Sequence, residues 1–154
     1  MNKIGRVLSV VSATAGAWAL TITPSAAAPD WQPWVKPKLS KCSPTTHSTV
    51  STKVIHQTCL VASGSSAGQE QGVLLVRNNA SVNIKIDQGR VIWHDENGNY
   101  LGSAQCYEKI VKPGELTACY GETRHTSKGW KVFGDYAYNG AMNRTASVEA
   151  PILY

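Results

Sequence analysis

The sequence predicts an all-β protein: a two-sheet antiparallel β-sandwich of immunoglobulin-like type, held by two disulfides and preceded by a cleaved signal peptide. Three observations carry that reading. Apolar segments recur at spacings of about 8 to 12 residues, punctuated by Gly, Pro and Asn, and no stretch sustains helical periodicity. Four cysteines, an even number, follow what reads as an export leader. Finally, the stretch from Val91 to Cys119 writes out consecutive antiparallel strands through two tight turns.

The chain divides into a signal peptide at 1–27, a Pro/Trp-rich extended arm at 28–46 and one β-sandwich domain at 47–154. Lys3 and Arg6 open the leader, an apolar run follows from Val7 to Ile22, and Ser25-Ala26-Ala27 supplies the small residues of a bacterial cleavage site. Ser9, Ser12, Thr14, Gly16, Thr21 and Thr23 dilute that run below the roughly 20 apolar residues of a spanning helix. The expected product is secreted and extracellular, with no membrane attachment after processing. In the arm, Pro29, Pro33, Pro37 and Pro44 exclude a helix and favour extended, polyproline-like backbone. Trp31 and Trp34 ride on it as the candidate ligand-stacking pair; the competing expectation is that they pack the arm onto the sheet.

Val50 to Ala62 is rich in β-branched residues and predicts the first strand; Ser63 to Gln69 reads as a loop, and Gly72 to Asn78 as a strand buried on both faces. Val82, Ile84 and Ile86 alternate inward, but beyond Gly89 the inward set becomes Val91 and Trp93. That change of parity predicts a β-bulge at Asp87-Gln88-Gly89. Asp95-Glu96-Asn97-Gly98-Asn99 is a hairpin turn in which Asn-Gly supplies positive φ angles. Further strands are expected at Tyr100–Ile110, Glu115–Glu122, Gly129–Asn139 and Thr145–Leu153, with Trp130, Val132, Tyr136 and Tyr138 sharing one face.

The turn at Val111-Lys112-Pro113-Gly114 sets Ile110 opposite Glu115. Counting back along both strands then places Cys106 directly opposite Cys119, with the short separation a disulfide needs. Cys42 is left for Cys59. Each bridge closes a loop of about 13 to 18 residues and contributes on the order of 3 kcal/mol. A zinc site is not expected: there is no C-x-x-C pair, and His47, His56, His94 and His125 are dispersed.

Composition excludes further classes. The formal net charge of +5 falls by two when Lys3 and Arg6 leave with the leader, and the remaining basic residues are spread evenly. A nucleic-acid surface would cluster them among stacking aromatics. Gly64-Ser65-Ser66-Ala67-Gly68 matches the G-x-S-x-G pattern, but a strand and not a helix follows, so Ser66 is not a nucleophile candidate. Asp95 and Glu96 adjoin on one turn and cannot straddle a glycosidic bond. Asn79-Ala80-Ser81 and Asn143-Arg144-Thr145 satisfy the glycosylation sequon, but the leader looks bacterial and so short a motif occurs by chance.

Val91-Ile92-Trp93-His94-Asp95-Glu96-Asn97-Gly98 resembles the FxLYD family of small bacterial extracytoplasmic domains. Asp95 and Gly98 stand where that family has its aspartate and turn glycine, and Val91 and Trp93 occupy its inward positions with different side chains. Gly72 to Asn79 is similar to the family's preceding strand, and Val111 to Glu115 to its later turn. The resemblance implies an immunoglobulin-like sandwich and no catalytic residues; the four cysteines and the Trp-rich arm depart from it. Cys106-Tyr107 followed by Pro113-Gly114 is also similar to the small secreted α-amylase inhibitors of actinobacteria, whose inhibitory Trp-Arg-Tyr tripeptide is absent here.

The expected function is therefore a non-catalytic binding or cell-surface interaction module, needing no cofactor, with cell-wall glycan or an extracellular protein as partner. The alternative is a proteinaceous inhibitor of an extracellular protease or amylase. It would present the loop at Ser63–Gln69 or the one at Thr123–Lys128.

Overall fold

The computed structural model describes residues 30–62 and 68–152. The leader, the G-x-S-x-G match with Ser66, and most of the loop expected at Ser63–Gln69 lie outside the described residues. Twelve strands are formed: β1 (Gln32–Pro33), β2 (Ser40–Cys42), β3 (Thr46–His47), β4 (Val54–Ala62), β5 (Gln69–Asn78), β6 (Ile84–His94), β7 (Tyr100–Cys106), β8 (Lys109–Val111), β9 (Leu116–His125), β10 (Lys131–Tyr138), β11 (Ala141–Arg144) and β12 (Val148–Glu149). They build two antiparallel sheets, with no helix among the described residues. The first sheet runs β1-β9-β5-β4-β2, with β3 also on β4; the second runs β11-β10-β6-β7, with β12 on β10 and β8 on β6. Leu60, Leu74 and Val76 of the first sheet meet Ile86, Val91, Trp93, Val132 and Tyr136 of the second in one core. This is the β-sandwich that the alternating pattern predicts.

The bulge falls where the parity change puts it. Ala137 faces Gln88 and Tyr138 faces Ile86, so Asp87 is the residue left over. Ile84 and Ile86 are buried before it, Gly89, Val91 and Trp93 after it. Without that extra residue, one half of β6 would turn its apolar side chains to solvent.

Both disulfides form, Cys42–Cys59 and Cys106–Cys119. The geometry expected for the second is corrected. Cys106 lies on β7, paired with Gly89 in the second sheet, whereas Cys119 lies on β9, paired with Leu74 in the first. The turn at Lys112–Gly114 therefore carries the chain from one sheet to the other and does not close a hairpin, and the bridge pins the sheets together with its Cα atoms 5.9 Å apart. The directly opposed cross-strand pair is instead Cys42 with Cys59, whose Cα atoms are 4.0 Å apart.

Two turns also differ in detail. In the β6–β7 loop only Gly98 takes positive φ, at 84°, while Asp95 accepts hydrogen bonds from the Asn97 and Asn99 amides. The segment expected as one strand at Thr145–Leu153 is preceded by an unforeseen hairpin: Asn139 and Gly140 have φ of 49° and 74°, and Tyr138 faces Ala141. Two consecutive positive φ angles make the tight turn whose twist suits flanking strands, which is why Asn-Gly occupies it.

The arm begins on one edge of the first sheet, where β1 pairs β9, and ends on the other, where β2 pairs β4. Four strand spacings separate those edges, about 19 Å at about 4.8 Å each. Residues 34–39 supply seven Cα steps, about 23 Å when extended, so the backbone has little slack. A proline-rich segment is already extended in the unfolded chain and loses little entropy in crossing. Beneath this strap lies a second apolar cluster on the outer face of the first sheet, Cys59, Val61, Val73, Leu75 and Ala118, joined by half-buried Trp34, Leu116 and Tyr120.

Trp31, just before β1, turns the other way and enters the main core, 7% exposed, with its Nε1 donating to the Tyr107 carbonyl at 2.7 Å. Its ring fills the space above Gly89, where a Cβ would come within 2.4 Å of the indole. Trp31→Ala is expected to lower stability by about 3–5 kcal/mol, the range for deleting a large buried aromatic. The measurement is the urea midpoint of the purified protein; a loss under about 1 kcal/mol would contradict the burial argument.

Candidate functional site

The two aromatic residues singled out on the arm part company. Trp31 is consumed by the core and has no ring face left for a ligand. Trp34 is half-buried beside Tyr120, ring centroids 6.3 Å apart, and closes the strap onto the first sheet. The arm does not present them as a pair.

The outer face of the second sheet is different, because no segment of the described chain crosses it. Register fixes its rows. Arg144 on β11, Asp135 on β10 and Arg90 on β6 lie side by side, with Gln105 of β7 next to Arg90. The row above holds Phe133, Ile92 and Ser103, and the next Lys131, His94 and Tyr100. Asp135, with only 3% of its side chain exposed, accepts from Arg90 Nε and a terminal nitrogen at 2.9 Å each, and from Arg144 at 3.1 Å. One carboxylate thus orients two guanidinium groups. The Arg144 side chain, 63% exposed, also lies over the Phe133 ring at 4.6 Å, a cation–π arrangement. His94 meets the edges of Phe133 and Tyr100, at 5.1 Å and 6.3 Å between centroids, and the Tyr100 hydroxyl is 3.0 Å from that of Ser103.

Chemically this face offers fixed hydrogen-bond donors beside aromatic surface. That combination suits hydroxylated, ring-bearing ligands, which present polar edges and apolar faces. The same parity that identifies Val132 and Tyr136 as inward implies that Phe133 and Asp135 point outward. What a linear reading lacks is the register that brings Arg90 and Arg144 to the same carboxylate.

Two buried polar groups lie elsewhere. Glu70, fully buried, accepts from the Thr126 hydroxyl at 2.7 Å and from the Ile152 amide, so both oxygens are spent tying the C-terminal segment to β5. That bond to Thr126 also anchors the start of the second expected inhibitory loop, whose first residues, through His125, belong to β9. His56, 3% exposed between the sheets, places Nδ1 3.0 Å from the Tyr136 hydroxyl, and its Nε2 has no hydrogen-bond partner. Burial holds the imidazole below its ordinary value of 6.5, partly offset by the Arg144 main chain and reinforced by His47. Burial also pushes Tyr136 up to about 12, so the phenol stays neutral at any ordinary pH. The four histidines do not converge, and among the described residues no group of three metal-ligating side chains is assembled.

No protein-family model matches the chain, and no curated protein matches it. Among solved structures the chain is similar to one described as "X-ray structure of Northeast Structural Genomics Consortium target SoR45", at 15% identity and a TM-score of 0.37, over 62% of this chain and 83% of that one. A likeness so slight bears on neither function nor ligand.

His56 gives the fold a pH dependence of defined sign. Its folded value lies below its unfolded one, so the unfolded chain takes up the proton first. The neutral-imidazole contribution is complete above about pH 6.5 and is lost as pH falls below it. Urea midpoints measured from pH 8 to pH 5 are expected to decline more steeply for the wild type than for His56→Gln. Parallel profiles for the two proteins would remove His56 as the cause.

Proposed function

We propose that this is a secreted, non-catalytic binding module that holds cell-wall glycan on the outer face of its second sheet. One observation carries the reading: the chain spends its own arm covering the first sheet, while no described segment covers the second sheet's row of Arg90, Asp135 and Arg144 beside Phe133, His94 and Tyr100. Apolar faces with no role are normally covered or made plainly polar, so an open face with aromatic rings and oriented guanidinium groups favours recognition. Two closed disulfides, with no free cysteine among the described residues, fit an oxidising compartment and support export. Asp135 is held by two cations and Glu70 is fully engaged, so neither stands ready as an acid or base. This favours binding over turnover.

Co-sedimentation of the purified mature protein with Gram-positive cell walls, chitin, cellulose and starch, at low and high salt, tests the reading. The expected result is retention on at least one glycan that survives high salt and falls about tenfold in Phe133→Ala with Tyr100→Ala, as the loss of about 1.4 kcal/mol requires. Trp34→Ala should leave retention unchanged. Retention abolished by salt alone would place the attraction in charge and not in stacking, and no retention on any glycan would overturn the proposal.

A further inference from the structure

We infer a second, independent site on the opposite sheet: a groove beside the strap that binds a small ligand with an apolar body and one carboxylate. The strap covers only part of the first sheet's outer face. Alongside it, a depression of about 290 Å³ is lined by Thr45, Ile55, His56, Gln57, Leu75, Arg77 and Leu116. Its floor is apolar and comes from three adjacent strands. Register places Ile55 of β4, Arg77 of β5 and Leu116 of β9 in one row, with Arg77 in the middle, and Gln57 beside Leu75 in the next. Thr45 donates to the Gln57 side chain at 3.1 Å and closes one end.

Arg77 gives the groove its sign. Its guanidinium makes no hydrogen bond or ion pair among the described residues, and no carboxylate lines the groove. Glu115, the residue before Arg77's strand partner Leu116, is taken by Lys109 at 3.2 Å and by the Lys112 amide at 2.8 Å. The other three arginines on described strands are paired: Arg90 and Arg144 share Asp135, and Arg124 holds Glu122 at 2.6 Å. A planar guanidinium between two half-buried apolar side chains, on a floor that lowers the local dielectric, matches a carboxylate bidentately while the ligand's hydrocarbon covers Ile55 and Leu116. The volume lies just below the small end of the range for ligand sites, about 300–1,000 Å³. It admits a medium-chain fatty acid or the last two residues of an apolar peptide. Both share the same chemistry, an apolar chain ending in a carboxylate, and the groove runs across the strands as the strap does.

Calorimetric titration with octanoate and with N-acetyl-Leu-Leu, each beside its neutral amide, tests the site. The expected result is saturable binding of at least one acid, with affinity lowered at least tenfold both by the Arg77→Gln substitution and by converting that acid to its amide. Because Arg77 is exposed and unpartnered, Arg77→Gln is expected to keep the wild-type urea midpoint, so loss of binding reads on the site and not on folding. Binding of octanoate alone identifies a fatty acid, of the peptide alone a chain terminus, and of both the shared carboxylate chemistry. Equal affinity for acid and amide, unchanged binding in Arg77→Gln, or no saturable binding of either acid overturns the inference. Co-sedimentation of Arg77→Gln with glycan should be unaltered, which separates this site from the face of the second sheet.

Discussion

The structure depends most on the covalent pin between Cys106 and Cys119, which joins strand β7 of one sheet to β9 of the other. A small sandwich has little core to hold two sheets in register, and here the pin acts with Trp31 and Gly89. Gly89 pairs with Cys106, and its missing side chain is the space the indole occupies. The bulge at Asp87 is what turns Gly89 inward, so that space exists because β6 changes parity. Trp31 is in turn the last residue before the arm joins β9, and the arm's course across the first sheet starts from that anchor.

From this follows the asymmetry on which the functional reading rests. Once Trp31 is fixed at one edge and Cys42 is tied to Cys59 at the other, the short segment between them has to lie across the first sheet. Val61, Val73, Leu75 and Ala118 are thereby covered without a third layer of secondary structure. Among the described residues the second sheet receives no such cover. Its outer rows are polar and aromatic, knit by Asp135, and apolar Ile92 is shielded by its neighbours on the same face. The two outer faces therefore solve the same exposure problem differently, one by a strap and the other by its own side chains.

Much of this was legible in the sequence, and the remainder was hidden for definite reasons. Alternation around Ile84, Ile86, Val91 and Trp93 locates the bulge because parity is a local property of a strand. Proline spacing gives the extended arm for the same reason. The pairing Cys106–Cys119 is right, yet the hairpin used to reach it is not. A turn of Pro-Gly chemistry at Lys112–Gly114 serves a sheet-to-sheet crossing as well as a hairpin, and only the placement of β5 beside β9 decides between them. Asn139-Gly140 carried the same hairpin signal as Asn97-Gly98, but the run of inward residues through Tyr138 masked it. Trp31 and Trp34, three residues apart, look equivalent in sequence; the core takes one and the strap the other. The Arg90–Asp135–Arg144 cluster joins three strands, and strand order is a global property that no local pattern records.

The most direct test of the central claim, that ligand meets the second sheet and not the arm, is amide hydrogen exchange of the wild-type protein with and without soluble cell-wall fragments. Slower exchange is expected in β6, β7, β10 and β11 alone, with residues 31–42 unchanged. Protection centred on Trp34 and the strap, with the second sheet unaffected, would contradict it.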